Sequence, residues 1–296
     1  MTGRQLARVS AIAYRETLWS DLFAGSRSSV TCLQPAVVAI ETALDLAPVT
    51  GAAATALDLA RQQRRSRIVW RVDGGFGSDD NLDWLLARHY QTIAKGFSGR
   101  RADKLARQVK RWTPCGDAWL GHVVCPVDFS REVQVWVKRK LIKGEFAHSY
   151  YLTTLKLPSL TRAMERYNQR GGAEIEQFRN DKQGLHLSAR RKQSFLAQKS
   201  LILLTDLAHN LLADLYHTAL VDTPFATFGP KRLVRDLLTM EGNLILEAGC
   251  LRRIELAESH PYAAKFLDCL VRYCQAEANL PSAGPRPKSN EFSGSG

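Results

Sequence analysis

The chain has 296 residues, 45% of them hydrophobic and 24% charged, enough apolar material for one large core or two moderate ones. Lys and Arg number 41 against 29 Asp and Glu, giving a net charge of +12, which points to a polyanionic partner, nucleic acid ahead of a membrane surface. A membrane span, a secretory leader and a zinc site are not expected. The longest apolar run, 195–216, is broken by Lys199, Asp206 and Asp214. No apolar stretch follows the opening charges. The six cysteines form no C-x-x-C pair and read as reduced thiols of a cytosolic protein.

In chain order, the segment 5–25 alternates as two short strands joined near Arg15 and Glu16. Helices are expected over 34–46, with Pro35 near the start, and over 52–65, with basic residues at the end. The run "RIVWRVD", 67–73, is a short buried strand that ends on a carboxylate at a glycine turn. Ser78 and the acidic residues behind it start a helix over 78–90, and "QTIAKG" returns as a parallel strand, so the core is α/β. Residues 100–111 are densely basic. Three strands follow, over 122–129, 132–142 and 147–157, as a β-rich insertion. From Pro158 the chain turns helical, over 159–170, 173–183, 189–217, 230–240 and 260–277, before a tail from 279 with the composition of a disordered end.

Two places offer chemistry. Asp73 stands at the end of a buried strand, where open α/β sheets gather ligand groups, although a turn-forming Asp before glycine is the commoner reason for such a residue. The loop "DGGFGSDDN" lacks the glycine fingerprint of a phosphate cradle, and its carboxylates 73, 79 and 80 would repel phosphate. The second place is "YNQRGGAEIEQFRNDKQGL", 167–185. On a helix Tyr167, Arg170 and Glu174 share an arc of about 60°, whereas Glu176 lies roughly 200° from Glu174. Alone, this is a charged helix face with an ordinary Arg–Glu pair. Histidine 209, within an apolar helix, reads as a satisfied core residue.

Together the two stretches resemble the DDE-type transposases of bacterial insertion sequences, which have an RNase H-like catalytic core. One group carries the signature Y-x2-R-x3-E-x6-K, matched here by Tyr167, Arg170 and Glu174. Lys182 follows after seven residues instead of six. "RVDGGFG" is similar to the segment that ends in the second catalytic aspartate, and the run "DLAHNLL" resembles that family's helix after the glutamate. The resemblance implies an RNase H-like mixed sheet flanked by helices, with a core over 1–96, a β-rich insertion over 97–157 and helices over 158–278. It implies Asp73 and Glu174 (Glu176 as alternative) as catalytic metal ligands for two Mg²⁺ ions, with Mn²⁺ as a substitute.

The activity implied is metal-dependent cutting at transposon ends and strand transfer into target DNA, by a homodimer on DNA in a bacterial cytoplasm. Arg170 and Lys182 would contact phosphate, and Tyr167 either the DNA backbone or the core. In the insertion Trp119 is a candidate to stack a base, among Arg111, Lys138 and Arg139; Trp136 reads as core. The family's first catalytic aspartate precedes the segment matched by 2–18, so it is absent from this chain, which reads as an N-terminally truncated copy. The alternatives are an inactive remnant that binds DNA, or another RNase H-like nuclease.

Overall fold

The computed structural model of the chain describes residues 3–49, 56–187 and 194–278; over 170–180 and 277–278 it describes the backbone alone. Two units form, Met1–Arg179 with Arg190–Asp206, and Asn180–Ala189 with Leu207–Gly296.

The first unit opens with the expected hairpin, β1 (Arg4–Ala11) and β2 (Glu16–Ala24), paired antiparallel with an irregularity at Val9–Ser10. Helices α1 (Leu33–Ala43) and α2 (Ala56–Ser66) lead into β3 (Val69–Val72), α3 (Asp79–Ala87) and β4 (Gln91–Lys95). Strands β3 and β4 pair in parallel, as the strand–helix–strand reading requires. Ser78 caps α3 by accepting from the Asn81 N–H.

Past β4 the structure departs from the sequence reading. The basic stretch forms a helix, α4 (Gly99–Ala106), capped by Ser98 and buried through Ala102 and Leu105. The first strand expected in the insertion, over 122–129, is largely displaced: β5 (Thr113–Cys115) and β6 (Ala118–Val123) come earlier. Pro126, which lacks an N–H, lies in the segment after β6 that joins no strand. Strands β7 (Gln134–Ile142) and β8 (Glu145–Thr153) match expectation. None of these four strands stands apart from the core. Strand β8 pairs antiparallel with β4, which yields one mixed sheet in the order β3-β4-β8-β7-β6-β5.

Strand alternation explains the layering. On one face Trp70, Val72, Ala94, Val135, Val137, Tyr150 and Leu152 pack against apolar residues of α1, α3 and α4. On the other, Ile93, Leu120, Trp136 and Tyr151 meet Ala163, Met164 and Tyr167 of α5 (Leu160–Gly184). Helices on both faces of a mixed sheet make the fold α/β and RNase H-like. Two helices were expected where α5 runs as one; the cost of Gly171 and Gly172, about 1 kcal/mol each, does not interrupt it.

The end of β4 is packed without slack. A Cβ on Gly96 would lie 1.9–2.4 Å from the Tyr150 ring. Gly96→Ala is therefore expected to destabilise the first unit by about 1–3 kcal/mol in urea unfolding; an unchanged midpoint would contradict this packing.

The second unit takes the end of α5 and of α6 (Phe195–Leu215), which closes in a π-helical turn, Tyr216–Leu220. A short α7 (Pro230–Arg232) passes into another π-helical turn, Leu233–Leu238, and α8 (Ala263–Ala278) ends the described chain. Leu212, Phe225, Phe228, Leu237 and Phe266 form its core. The hairpin β9 (Gly242–Glu247) and β10 (Cys250–Leu256) was not expected. Among the described residues no helix is long and apolar enough to cross a membrane. The tail read as disordered lies outside the described residues.

Candidate functional site

Asp73 follows the last residue of β3 and is exposed at the rim of the sheet. Its Oδ1 accepts from the Gly74 N–H at 2.8 Å, and its carbonyl accepts from the Phe76 N–H at 2.9 Å. The glycines behind it let this turn lie on β4: a Cβ at Gly77 would stand 2.2 Å from the Lys95 carbonyl oxygen. The Ser29 hydroxyl donates to the Gly75 carbonyl at 2.8 Å, and the Asn81 side-chain amide donates to the Phe76 and Val30 carbonyls. The loop is thus fixed from three sides, which holds the Asp73 backbone in place.

The orientation of Asp73 follows from the pleat. Trp70 and Val72 face α1, α3 and α4, whereas Val69 packs with the cluster under α5. One residue past the strand, position 73 continues the parity of Val69. In the parallel register Val72 pairs with Ala94, and the next residue along β4 is Lys95, with the parity of Ile93 on the same face. Lys95 went unnoticed in the sequence because its neighbour in space is 22 positions away. Asp79 is spoken for: Arg101 Nη1 lies 2.6 and 2.7 Å from its two carboxylate oxygens and 3.3 Å from the Tyr150 hydroxyl. That contact raises the Arg101 guanidinium above its ordinary value, and burial pushes the Tyr150 phenol up. Asp21 likewise is held by Lys199 at 2.8 Å.

The remaining candidates separate. Tyr167 is 5% exposed, with its ring 4.8 Å from that of Tyr151. Of the two roles offered for it, this burial under α5 matches the packing anchor. Trp136 is fully buried and stacks on Tyr151 at 5.5 Å, as expected. Trp119 is half-buried, edge-on to Phe146. Arg139 lies over Trp112, Trp119 and Phe146, 4.3, 5.2 and 4.8 Å from their centroids. Arg139 and Lys138 are consecutive on β7 and point to opposite faces, so one straight track of DNA cannot use both. Arg111 is exposed beyond α4. The side chains of Arg170, Glu174 and Glu176 lie outside the described residues, although their backbone is part of α5. Lys182 is exposed near the end of α5, within the second unit.

In that unit His209 is buried, with Nδ1 2.8 Å from Oδ1 of the buried Asp181, the satisfied core histidine read from the sequence. Among the described residues no three acidic, histidine or cysteine side chains converge as a metal site would need.

No curated protein matches the chain. The family model described as transposase DDE domain group 1 matches residues 53–278. That span runs from the helix before β3 through the Asp73 rim, the whole six-stranded sheet, α5 and both hairpin strands of the second unit to the end of α8. With more than half of its residues inside that match, the chain belongs to the DDE-domain transposases.

Proposed function

We propose that the protein cuts DNA at the ends of a mobile element and joins the freed 3′ ends to target DNA, using divalent cations held by Asp73 and Glu174. One observation carries the reading. Asp73 follows the last residue of β3 at the rim of the sheet, and the strand period carried one residue further gives it the parity of Val69, which packs under α5. Ala163, Met164 and Tyr167 make the stripe of α5 on the sheet. Position 174 lies seven residues from 167, about 20° off that stripe after two turns, whereas 176 falls on the far side. Helix geometry therefore favours Glu174 over Glu176.

The donor set suits a hard cation, since an exposed carboxylate at a fixed turn is an oxygen ligand with little to reorganise. Mg²⁺, or Mn²⁺ in its place, would supply Lewis-acid stabilisation of the charge on the phosphodiester oxygens. The protein's own share is to hold the Asp73 turn through Ser29 and Asn81 and to attract the DNA backbone with its net charge of +12. Arg170 is assigned to phosphates near the scissile bond, and Lys182, in the second unit, to DNA phosphate. Arg111, with Arg139 held among Trp112 and Trp119, is assigned to flanking DNA, by a homodimer acting in the cytoplasm.

The test uses the protein with duplex DNA from the flanks of its gene. Cutting is expected in Mg²⁺, is expected to stop on chelation and to return with Mn²⁺. Binding without any cutting would leave a DNA-binding role alone, and cutting unaffected by chelation would contradict the reading.

A further inference from the structure

Helix α4 carries a charge pattern that works against its own stability. Ala102 and Leu105, each 1% exposed, hold it on the sheet in one cluster with Val135, Val137, Tyr150 and Leu152. Its outer side is Arg100, Lys104 and Arg107, all exposed. Arg107 keeps helical backbone angles at the C-cap, so at 100° per residue the three lie within an arc of about 60°. Like charges three and four positions apart destabilise a helix. Arg100 and Arg101 also occupy the first turn, where the helix dipole favours acids and where α4 has none. Helix α3, by contrast, opens on Asp79 and Asp80. The carboxylates nearest in the chain are turned elsewhere: Asp79 binds Arg101, and Asp103 Oδ1 lies 2.9 Å from His148 Nδ1. Among the described residues no carboxylate pairs with Arg100, Lys104 or Arg107, nor with Lys110 and Arg111, which are exposed just beyond the helix. A merely solvated helix face mixes both signs. Five cations without a counter-charge point to an anion supplied from outside.

The row continues onto the sheet. Trp119 pairs with Arg139, and Arg139 with His148, across β6, β7 and β8. Since His148 reaches Asp103 of α4, this side of the three strands is the side of α4. Arg139, with its guanidinium over Trp112 and Trp119, is on that side, and Lys138 is on the other. The opposite end of the row starts near Asp73: residues 96–98 join β4 to α4, and the Phe97 N–H donates to the Gly77 carbonyl at 3.2 Å. We propose that the outer face of α4, continued by Arg139, is an anchoring surface for duplex DNA, which it holds by the backbone phosphates without reading bases. From Arg100 to Arg107 the helix rises about 10 Å, the span of about three phosphates of one strand. The row leads from the rim to the side of the sheet away from α5, so it grips DNA at a distance from the phosphate that is cut. The choice of DNA among polyanions rests on the proposed function; the anion-binding face itself does not.

The test compares two triple variants of the full chain with equal charge. One is Arg100→Gln, Lys104→Gln, Arg107→Gln. The other is Lys143→Gln, Lys156→Gln, Lys265→Gln, at exposed lysines on other elements. Binding of two duplexes of unrelated sequence is followed by fluorescence anisotropy in EDTA over a range of salt. The α4 variant is expected to lose at least ~10-fold in affinity for both duplexes, and its slope of log affinity against log salt to fall by about 3. The control variant should change affinity by less than ~3-fold. Should the α4 variant misfold, the unaltered protein gives a second readout: duplex DNA is expected to slow acetylation of Lys104 by at least ~5-fold and to leave Lys143 unprotected.

Equal losses in the two variants would assign the effect to net charge and overturn the proposal. A loss for one duplex and not the other would mean that bases are read, which overturns a phosphate anchor. Protection of Lys104 by a polyglutamate peptide and not by duplex would assign the face to an acidic protein and overturn the DNA partner. Binding in EDTA involves no cation and no cutting. Intact anchoring in a protein that never cuts would therefore count against the Asp73 and Glu174 site alone.

Discussion

Asp73→Asn is expected to lower Mg²⁺-dependent cutting of flanking DNA by on the order of 10³-fold, with DNA affinity changed by less than about threefold. The asymmetry has a physical origin. Asparagine keeps the size of the side chain and an oxygen that can accept from the Gly74 N–H, so the turn stays closed. The negative charge that holds a cation is lost. Affinity rests on many Lys and Arg contacts to phosphate and barely registers one carboxylate. Glu174→Gln should behave in the same way and Glu176→Gln should not, because 176 is on the far side of α5 from the Tyr167 stripe. Full cutting by both Asp73→Asn and Glu174→Gln would sink the assignment. A parallel fall of cutting and affinity would point to a folding defect instead.

The second large effect concerns stability and lies in the second unit. Asp181 and His209 are both buried and share a 2.8 Å hydrogen bond, and the Asp181 carbonyl accepts from the Leu185 and Leu187 N–H groups. Asp181→Ala strips a buried imidazole of its partner, which costs far more than the net worth of the bond. A loss of about 3 kcal/mol is expected in denaturant unfolding, with faster amide exchange in the C-terminal half of α6. Asp181→Asn retains an acceptor at the same place and should cost about 1 kcal/mol. Equal and small losses for the two variants would show that the pair is not a fixed part of the core.

What could be read in the sequence was what local chemistry writes. The β3–α3–β4 unit was legible because apolar runs, a glycine turn and the Ser78 cap all occur within thirty residues. Helix α4 was overlooked because its charges hide a narrow apolar stripe; Ser98, Ala102 and Leu105 carried the signal. The β9–β10 hairpin bears mostly exposed residues, so no alternation betrays it. Its one cue was the two-residue turn at Ala248 and Gly249, both at positive φ.

That the insertion strands extend the core sheet was not legible at all, since the β4–β8 pairing spans sixty residues. At the site, the strand end that carries Asp73 was legible from an apolar run before a glycine turn, whereas Glu174 was singled out by the resemblance and by the helix period. The Asp79–Arg101–Tyr150 brace, the nearness of Lys95 and the opposed directions of Lys138 and Arg139 arise only from packing.

The central claim is that the β3 rim and the middle of α5 share one cation site. Mn²⁺ binding to the protein, followed by electron paramagnetic resonance, tests it most directly. The expected result is one class of bound Mn²⁺ that is lost in Asp73→Asn and in Glu174→Gln, and kept in Glu176→Gln. Undiminished binding in both of the first two variants, or its loss in Glu176→Gln alone, would contradict it.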